Sequence, residues 1–216
     1  METTIKHTAS DSALSTEWQY DVIIAGSGAG GLAAAVTAAH HGLKVLLAER
    51  APFCGGATAR SGGWAWTPGN PLAVADGVIE PRDDYRAYLK AVTGDDYDSE
   101  RVEMFLEQVP HMVGFFQQHT PLQFTPGKTI CDIYGKLPGA GTGHRSVAAT
   151  PLYGTQLPKH LLAILPDQYR MTSFWGMGIM AGPDLGHFLN AMKRPASLLY
   201  AAKRFAIHLW DKAVHR

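Results

Sequence analysis

Cysteine is scarce in this chain: two in 216 residues, Cys54 and Cys131. Two cysteines make no disulfide framework, so a reducing compartment is expected and the protein is read as cytoplasmic. No Cys/His pair has the spacing of a zinc site, and the ten histidines are scattered. No metal is expected. Long apolar runs are missing as well, and none reaches the length of a membrane span. The first eighteen residues hold no apolar core segment. They do not read as a secretory signal, and a disordered tail is expected over 1–18. Net charge is absent: 19 Lys and Arg face 19 Asp and Glu. No global field then draws in nucleic acid or a membrane.

What is present centres on Asp21-Val22-Ile23-Ile24-Ala25-Gly26-Ser27-Gly28-Ala29-Gly30-Gly31, closing at Glu49-Arg50. Val22 to Ala25 is a short apolar run suited to a buried parallel strand. Gly26, Gly28 and Gly31 fit G-x-G-x-x-G. The first glycine permits a sharp turn, the second a close approach to a pyrophosphate, and the third packing of helix on strand. Leu32 to His41 is alanine-rich and reads as a helix, with Gly42 as its stop. Lys44 to Ala48 reads as the second strand. Glu49 stands eighteen positions after Gly31, where a carboxylate accepts the hydroxyls of an adenosine ribose. The helix N-terminus offers N–H groups and a positive dipole end to phosphates. The acid favours FAD or NAD over the 2′-phosphate of NADP, and Arg50 beside it weakens that preference slightly. A glycine-rich βαβ turn that binds nothing is the bland alternative.

A second glycine cluster follows, Cys54-Gly55-Gly56-Ala57-Thr58-Ala59-Arg60-Ser61-Gly62-Gly63. Such a loop either donates backbone N–H groups to a phosphate or is plain surface. Trp64 and Trp66 wall a flat ring or simply pack. Arg82 to Thr93 is expected as a helix stopped by Gly94. Asp98 or Ser99 is expected to cap the next helix, and that reading of the acidic run outweighs a metal site. Pro110 is expected to interrupt this helix and open a second one, Met112 to Gln118. Leu122 to Thr125 is expected as a short strand, and Pro126 to Pro158 as loop. In that loop Tyr134 suits an acid or base, His144 a proton carrier and Arg145 an anion stabiliser. Plain loop hydrogen bonding is the commoner fate of such residues. From Lys193 onward six basic residues accompany one acid, Asp211. Pro195 to Arg216 reads as an amphipathic helix. Its basic face is either solvated or laid on a membrane surface, solvation being the commoner case.

The two glycine motifs together resemble the flavoprotein family of fumarate reductases, succinate dehydrogenases and 3-ketosteroid dehydrogenases. Trp66-Thr67-Pro68-Gly69 and Tyr85-Arg86-Ala87-Tyr88-Leu89 resemble its ketosteroid dehydrogenase branch. The resemblance covers residues 19 to 146. It implies an α/β, Rossmann-like FAD-binding fold, a parallel sheet with flanking helices, over residues 19–150. A mostly helical connector or cover over 151–216 is expected to follow. It implies FAD held by Gly26, Ser27, Gly28, Ala29, Gly30, Gly31, Glu49 and Arg50. The second loop, Gly55, Gly56, Ala57, Thr58, Ser61, Gly62 and Gly63, is implied to lie along FAD toward the flavin. It also implies hydride transfer to the flavin from a CH–CH group next to a carbonyl, on a steroid-like or dicarboxylate small molecule. By position Tyr134 resembles an active-site tyrosine of the branch, although its flanks diverge. The arginine acid of the fumarate reductases has no match here. Family members are more than twice as long, so an incomplete sheet is expected. A truncated, non-catalytic FAD-binding module is the alternative to an enzyme.

Overall fold

The computed structural model describes residues 19–165, 173–179 and 183–214. The tail expected over 1–18 lies outside them. Strand β1, Val22–Ala25, pairs in parallel with β2, Val45–Ala48, in the register Val22 to Val45. Helix α1, Ala29–His40, joins them. Asp21 Oδ2 accepts the Lys44 N–H at 2.8 Å where the pair begins. The Gly26 N–H donates to the Ala48 carbonyl at 2.7 Å where it ends. Gly42 has φ +82°, a left-handed turn that suits glycine beyond a helix end. Strand, glycine turn, helix and second strand therefore stand where the spacing puts them.

A second sheet has the order β3-β5-β4 and is antiparallel throughout. Its strands are β3, Trp64–Trp66, β4, Phe124–Pro126, and β5, Ser146–Ala149. The central strand β5 falls inside the stretch expected as loop. Its residues, Ser-Val-Ala-Ala, carry little β signal of their own. Pairing on both sides makes it a strand, and Val147 is fully buried.

Three helices pack nearby. Short α2, Pro71–Ala75, is capped by Asn70, whose side chain accepts the Ala73 N–H. Helix α3, Arg82–Thr93, buries Tyr85 and Tyr88 and stops at Gly94. Helix α4, Ser99–His119, is capped by Asp98 through the Arg101 N–H. Arg86 of α3 grips Glu103 of α4 with its Nη2 at 2.7 Å. Helix α4 corrects one expectation: it runs unbroken through Pro110. Proline removes one backbone bond from a helix interior and crowds the preceding turn. Here Leu106, Val109 and Val113 lie on one buried stripe spanning that position, and their burial holds the two halves in line.

The remaining elements are helix α5, Lys159–Ala163, the hairpin of β6, Ser173–Phe174, with β7, Met177–Gly178, and helices α6, Pro183–Leu189, and α7, Pro195–Val214. Helix α7 meets α6 through His187 stacked on Tyr200, with ring centroids 4.3 Å apart, and through Arg204 beside Asp184. Its outer face leaves Leu199 and Trp210 exposed. No described helix is long and apolar enough to cross a membrane.

Candidate functional site

The first turn is built by glycines that do different things. Gly26 has φ +92°, which a side chain would resist. Gly28 sits extended at the head of α1 with no side-chain cap, and space is open where its Cβ would stand. A Cβ on Gly31 would overlap the Gly26 carbonyl oxygen, so that glycine is fixed by packing within the turn. The head of α1 offers N–H groups without partners from its own helix. One of them, Ala29 N, donates to Thr58 Oγ1 at 3.2 Å.

Glu49 follows β2 and turns its carboxylate back to this turn. Oε2 accepts the Ser27 N–H at 2.8 Å and the Ser27 hydroxyl at 2.6 Å. Oε1 accepts the Ala51 N–H at 2.9 Å. These donors hold the carboxyl down from 4.5 to about 2, the Ala51 N–H most strongly and the Ser27 hydroxyl next. Hydrogen bonds to the charged form act in this direction. Glu49 is therefore a fixed anion at neutral pH. Arg50 next to it is exposed.

The second glycine loop lies against the first. The Gly55 N–H donates to Ser27 Oγ at 2.9 Å. A Cβ on Gly56 would stand 3.5 Å from the Gly28 Cα. Ala57 leads into a 3-10 turn, Thr58–Arg60. Ser61 donates to the Thr58 carbonyl at 2.8 Å and accepts the Gly63 N–H at 3.1 Å. Gly62 and Gly63 are exposed. The Cys54 N–H donates to the Ile164 carbonyl at 2.7 Å, tying the loop to the end of α5. The two clusters that the sequence sets apart thus meet at Ser27, Gly28 and Ala29.

The other candidates fall elsewhere. Tyr134 is 56% exposed on a turn, and its backbone N–H donates to the Tyr88 hydroxyl at 3.3 Å. Trp66 stacks on Phe105 with centroids 6.0 Å apart, and its Nε1 donates to Asp132 at 2.7 Å. Packing accounts for that ring. His144 has φ +64°, and its carbonyl accepts from Asn70 Nδ2. Arg145 is only 2% exposed. It donates to Glu80 through Nη2 at 2.7 Å, to Asp132 through Nη1 at 2.8 Å and to the Gly139 carbonyl at 2.6 Å, and lies 4.8 Å from the Tyr85 ring. Burial opposes its charge, yet Glu80 and Asp132 outweigh burial and hold its pKa above the ordinary value. Burial, then Glu80, pushes Tyr85 up to about 12. Arg145 thus carries a structural ion cluster, not an anion-stabilising one. Glu80, 65 positions away in sequence, had no motif to mark it.

Parallel strands joined by a glycine turn, a helix head beside open space and an anionic carboxylate define a dinucleotide-binding unit. The donor set suits a diphosphate carrying an adenosine ribose. The chain belongs to the family described as FAD binding domain, whose model matches residues 21–198. It is similar to the 3-oxosteroid 1-dehydrogenase of Mycolicibacterium smegmatis, at 40% identity over 91% of this chain and 34% of the relative. It is also similar to the 4-oxocyclohex-2-ene-1-carboxylate 5-dehydrogenase of Sinomonas cyclohexanicum, at 36% identity over 91% of this chain and 33% of the relative. Among solved structures, 3-ketosteroid delta1-dehydrogenase from Sterolibacterium denitrificans, in complex with 1,4-androstadiene-3,17-dione, matches with a TM-score of 0.77 and 30% identity. That match covers 90% of this chain and 34% of the solved one. The chain spans about a third of the length of these relatives.

Proposed function

We propose that this chain is the cofactor-holding part of an FAD-dependent dehydrogenase that acts on a CH–CH pair next to a ring carbonyl. The single observation that carries the reading is the open space where a Gly28 Cβ would stand, at the head of α1 and next to Ser27, which holds the Glu49 anion. In this reading Glu49 accepts a ribose hydroxyl and Arg50 flanks it. The N–H groups of Gly30 and Gly31 face the diphosphate, with the α1 dipole behind them, while the Ala29 N–H is held by Thr58. Gly55, Gly56, Ala57, Thr58, Ser61, Gly62 and Gly63 line the path toward the flavin. Tyr134 is the proposed side chain for proton removal beside the carbonyl. Residues 19–150 form the cofactor domain and 151–216 its connector or cover. The chemistry FAD supplies when bound is acceptance of hydride at the flavin N5. A steroid-like cyclic ketone is the proposed substrate, supported by the oxosteroid and oxocyclohexene names of the relatives.

A second reading rests on the share of the relatives that is matched. The two-stranded parallel sheet is then part of a larger one, and the 216 residues hold FAD without turning substrate over. One experiment separates the readings. The purified chain is mixed with FAD, passed through gel filtration and scanned in the visible range. Absent flavin absorbance overturns both. Retained flavin that a 3-oxosteroid bleaches under anaerobic conditions supports the enzyme, and retained flavin that stays oxidised supports the module.

A further inference from the structure

Ser27 was expected to touch the cofactor. In the structure it is fully buried, and its polar atoms face protein. The N–H and the hydroxyl both donate to Glu49 Oε2. The hydroxyl oxygen accepts the Gly55 N–H at 2.9 Å. One hydroxyl therefore joins three parts of the site: the first turn, the carboxylate after β2 and the second glycine loop. These parts lie 22 and 28 positions from Ser27 in sequence.

The acceptor count at Glu49 sharpens the point. A carboxylate has about four lone-pair directions. Ser27 fills two on Oε2, and the Ala51 N–H fills one on Oε1. The Arg50 N–H also acts on the carboxylate. The carboxylate is thus aimed before any ligand arrives. The loop has a matching constraint. Gly55 has φ +110°, and a Cβ there would stand 2.6 Å from the Ala59 Cβ. Its conformation depends on glycine and on the acceptor that Ser27 provides.

We propose that Ser27 is a positioning residue of the FAD site, whose buried hydroxyl locks the Glu49 carboxylate and the Gly55 loop into one unit without itself contacting the cofactor. Without the hydroxyl, the Gly55 N–H loses its acceptor and Glu49 gains a lone pair with nothing to hold it. The Ser27 N–H still reaches Glu49 and the Ala29 N–H still reaches Thr58, so the parts stay linked but are held less tightly. The inference rests on FAD occupying the space at Gly28.

The test is a double-mutant cycle in the 216-residue chain, with wild type, Ser27→Ala, Glu49→Gln and the double variant. FAD affinity is read from flavin fluorescence, and Gly55 amide hydrogen exchange is read without FAD. Ser27→Ala is expected to weaken FAD binding roughly tenfold, the value of one hydrogen bond. It is also expected to speed Gly55 exchange while leaving the amides in the middle of α1 unchanged. The double variant should lose less than the product of the two single losses, because both cut one linkage. Ser27→Cys, with a weaker donor of similar size, should fall between wild type and alanine. Wild-type FAD affinity and unchanged Gly55 exchange in Ser27→Ala overturn the proposal, as do losses that multiply. If Ser27→Ala does not fold, fast exchange of Gly55 in the wild-type chain overturns it, and slow exchange with an intermediate Ser27→Cys supports it. If the wild-type chain binds no FAD, the cofactor placement fails, while the Gly55 exchange rates still decide whether Ser27 holds the loop.

Discussion

Single residues carry the first glycine motif, and its members fail differently. At Gly31 a side chain meets the Gly26 carbonyl oxygen. Gly31→Ala is expected to destabilise the fold by about 3 kcal/mol, the upper part of the range for overpacking. At Gly28 a Cβ meets no protein atom within 4 Å. Gly28→Val is expected to keep stability within about 1 kcal/mol, as substitutions at a helix cap usually do, and to lose FAD. Thermal melts beside FAD titrations of the two variants check the contrast. Glu49 makes the pH prediction. Its carboxyl goes from 4.5 when unfolded to about 2 when folded. A depressed acid stabilises the fold fully above its unfolded value, and the effect fades as pH falls through the folded one. The melting-temperature gap between wild type and Glu49→Gln should therefore be largest above pH 4.5 and close toward pH 2. A gap that is flat across that window overturns the assignment. The spacing of Gly26, Gly28, Gly31 and Glu49 made this turn legible, because these four positions fall within one strand–turn–helix–strand unit. The role of Ser27 was not legible, since serine has no signature there and Gly55 reaches it from a separate loop.

At the scale of elements, local signals and distant partners part company. Helix α3 and the start of α4 were readable from Gly94 and Asp98, whose capping is written in a few neighbouring residues. Pro110 misled, because a local rule against proline yields to the buried stripe of Leu106, Val109 and Val113. Strand β5 misled the other way: its partners β3 and β4 decide it, and its own four residues do not. Arg145, next to β5, shows the same dependence. Its own glycine-rich run names no partner, and the carboxylates of Glu80 and Asp132 that pair with it come from elsewhere in the chain. Removing it leaves those carboxylates without their cation. Arg145→Met is expected to cost about 3–5 kcal/mol, as breaking one side of a buried ion cluster does, and denaturant midpoints measure it. A loss under about 1 kcal/mol, ordinary for an exposed ion pair, overturns the structural role.

At the scale of the molecule, apolar side chains remain at the surface in several places. Ile23 of β1 is 70% exposed, and Leu199 and Trp210 of α7 are 73% and 66% exposed. Contiguous exposed apolar surface favours association. Replacing Leu199 and Trp210 with glutamate is expected to change folding stability by less than about 0.5 kcal/mol each, as surface changes do, and to reduce self-association. Light scattering at rising concentration checks the second effect. A large drop in melting temperature would instead show that these side chains are packed in solution.

The contacts between the glycine loops have a consequence in time. Ser27 to Glu49, Ser27 to Gly55 and Ala29 to Thr58 span 22, 28 and 29 positions. Short closures cost less entropy and form sooner than long ones. These three contacts need nothing beyond residue 58, so they can close before strand β5 completes the second sheet, whereas the tie from Cys54 to Ile164 must wait for the later chain.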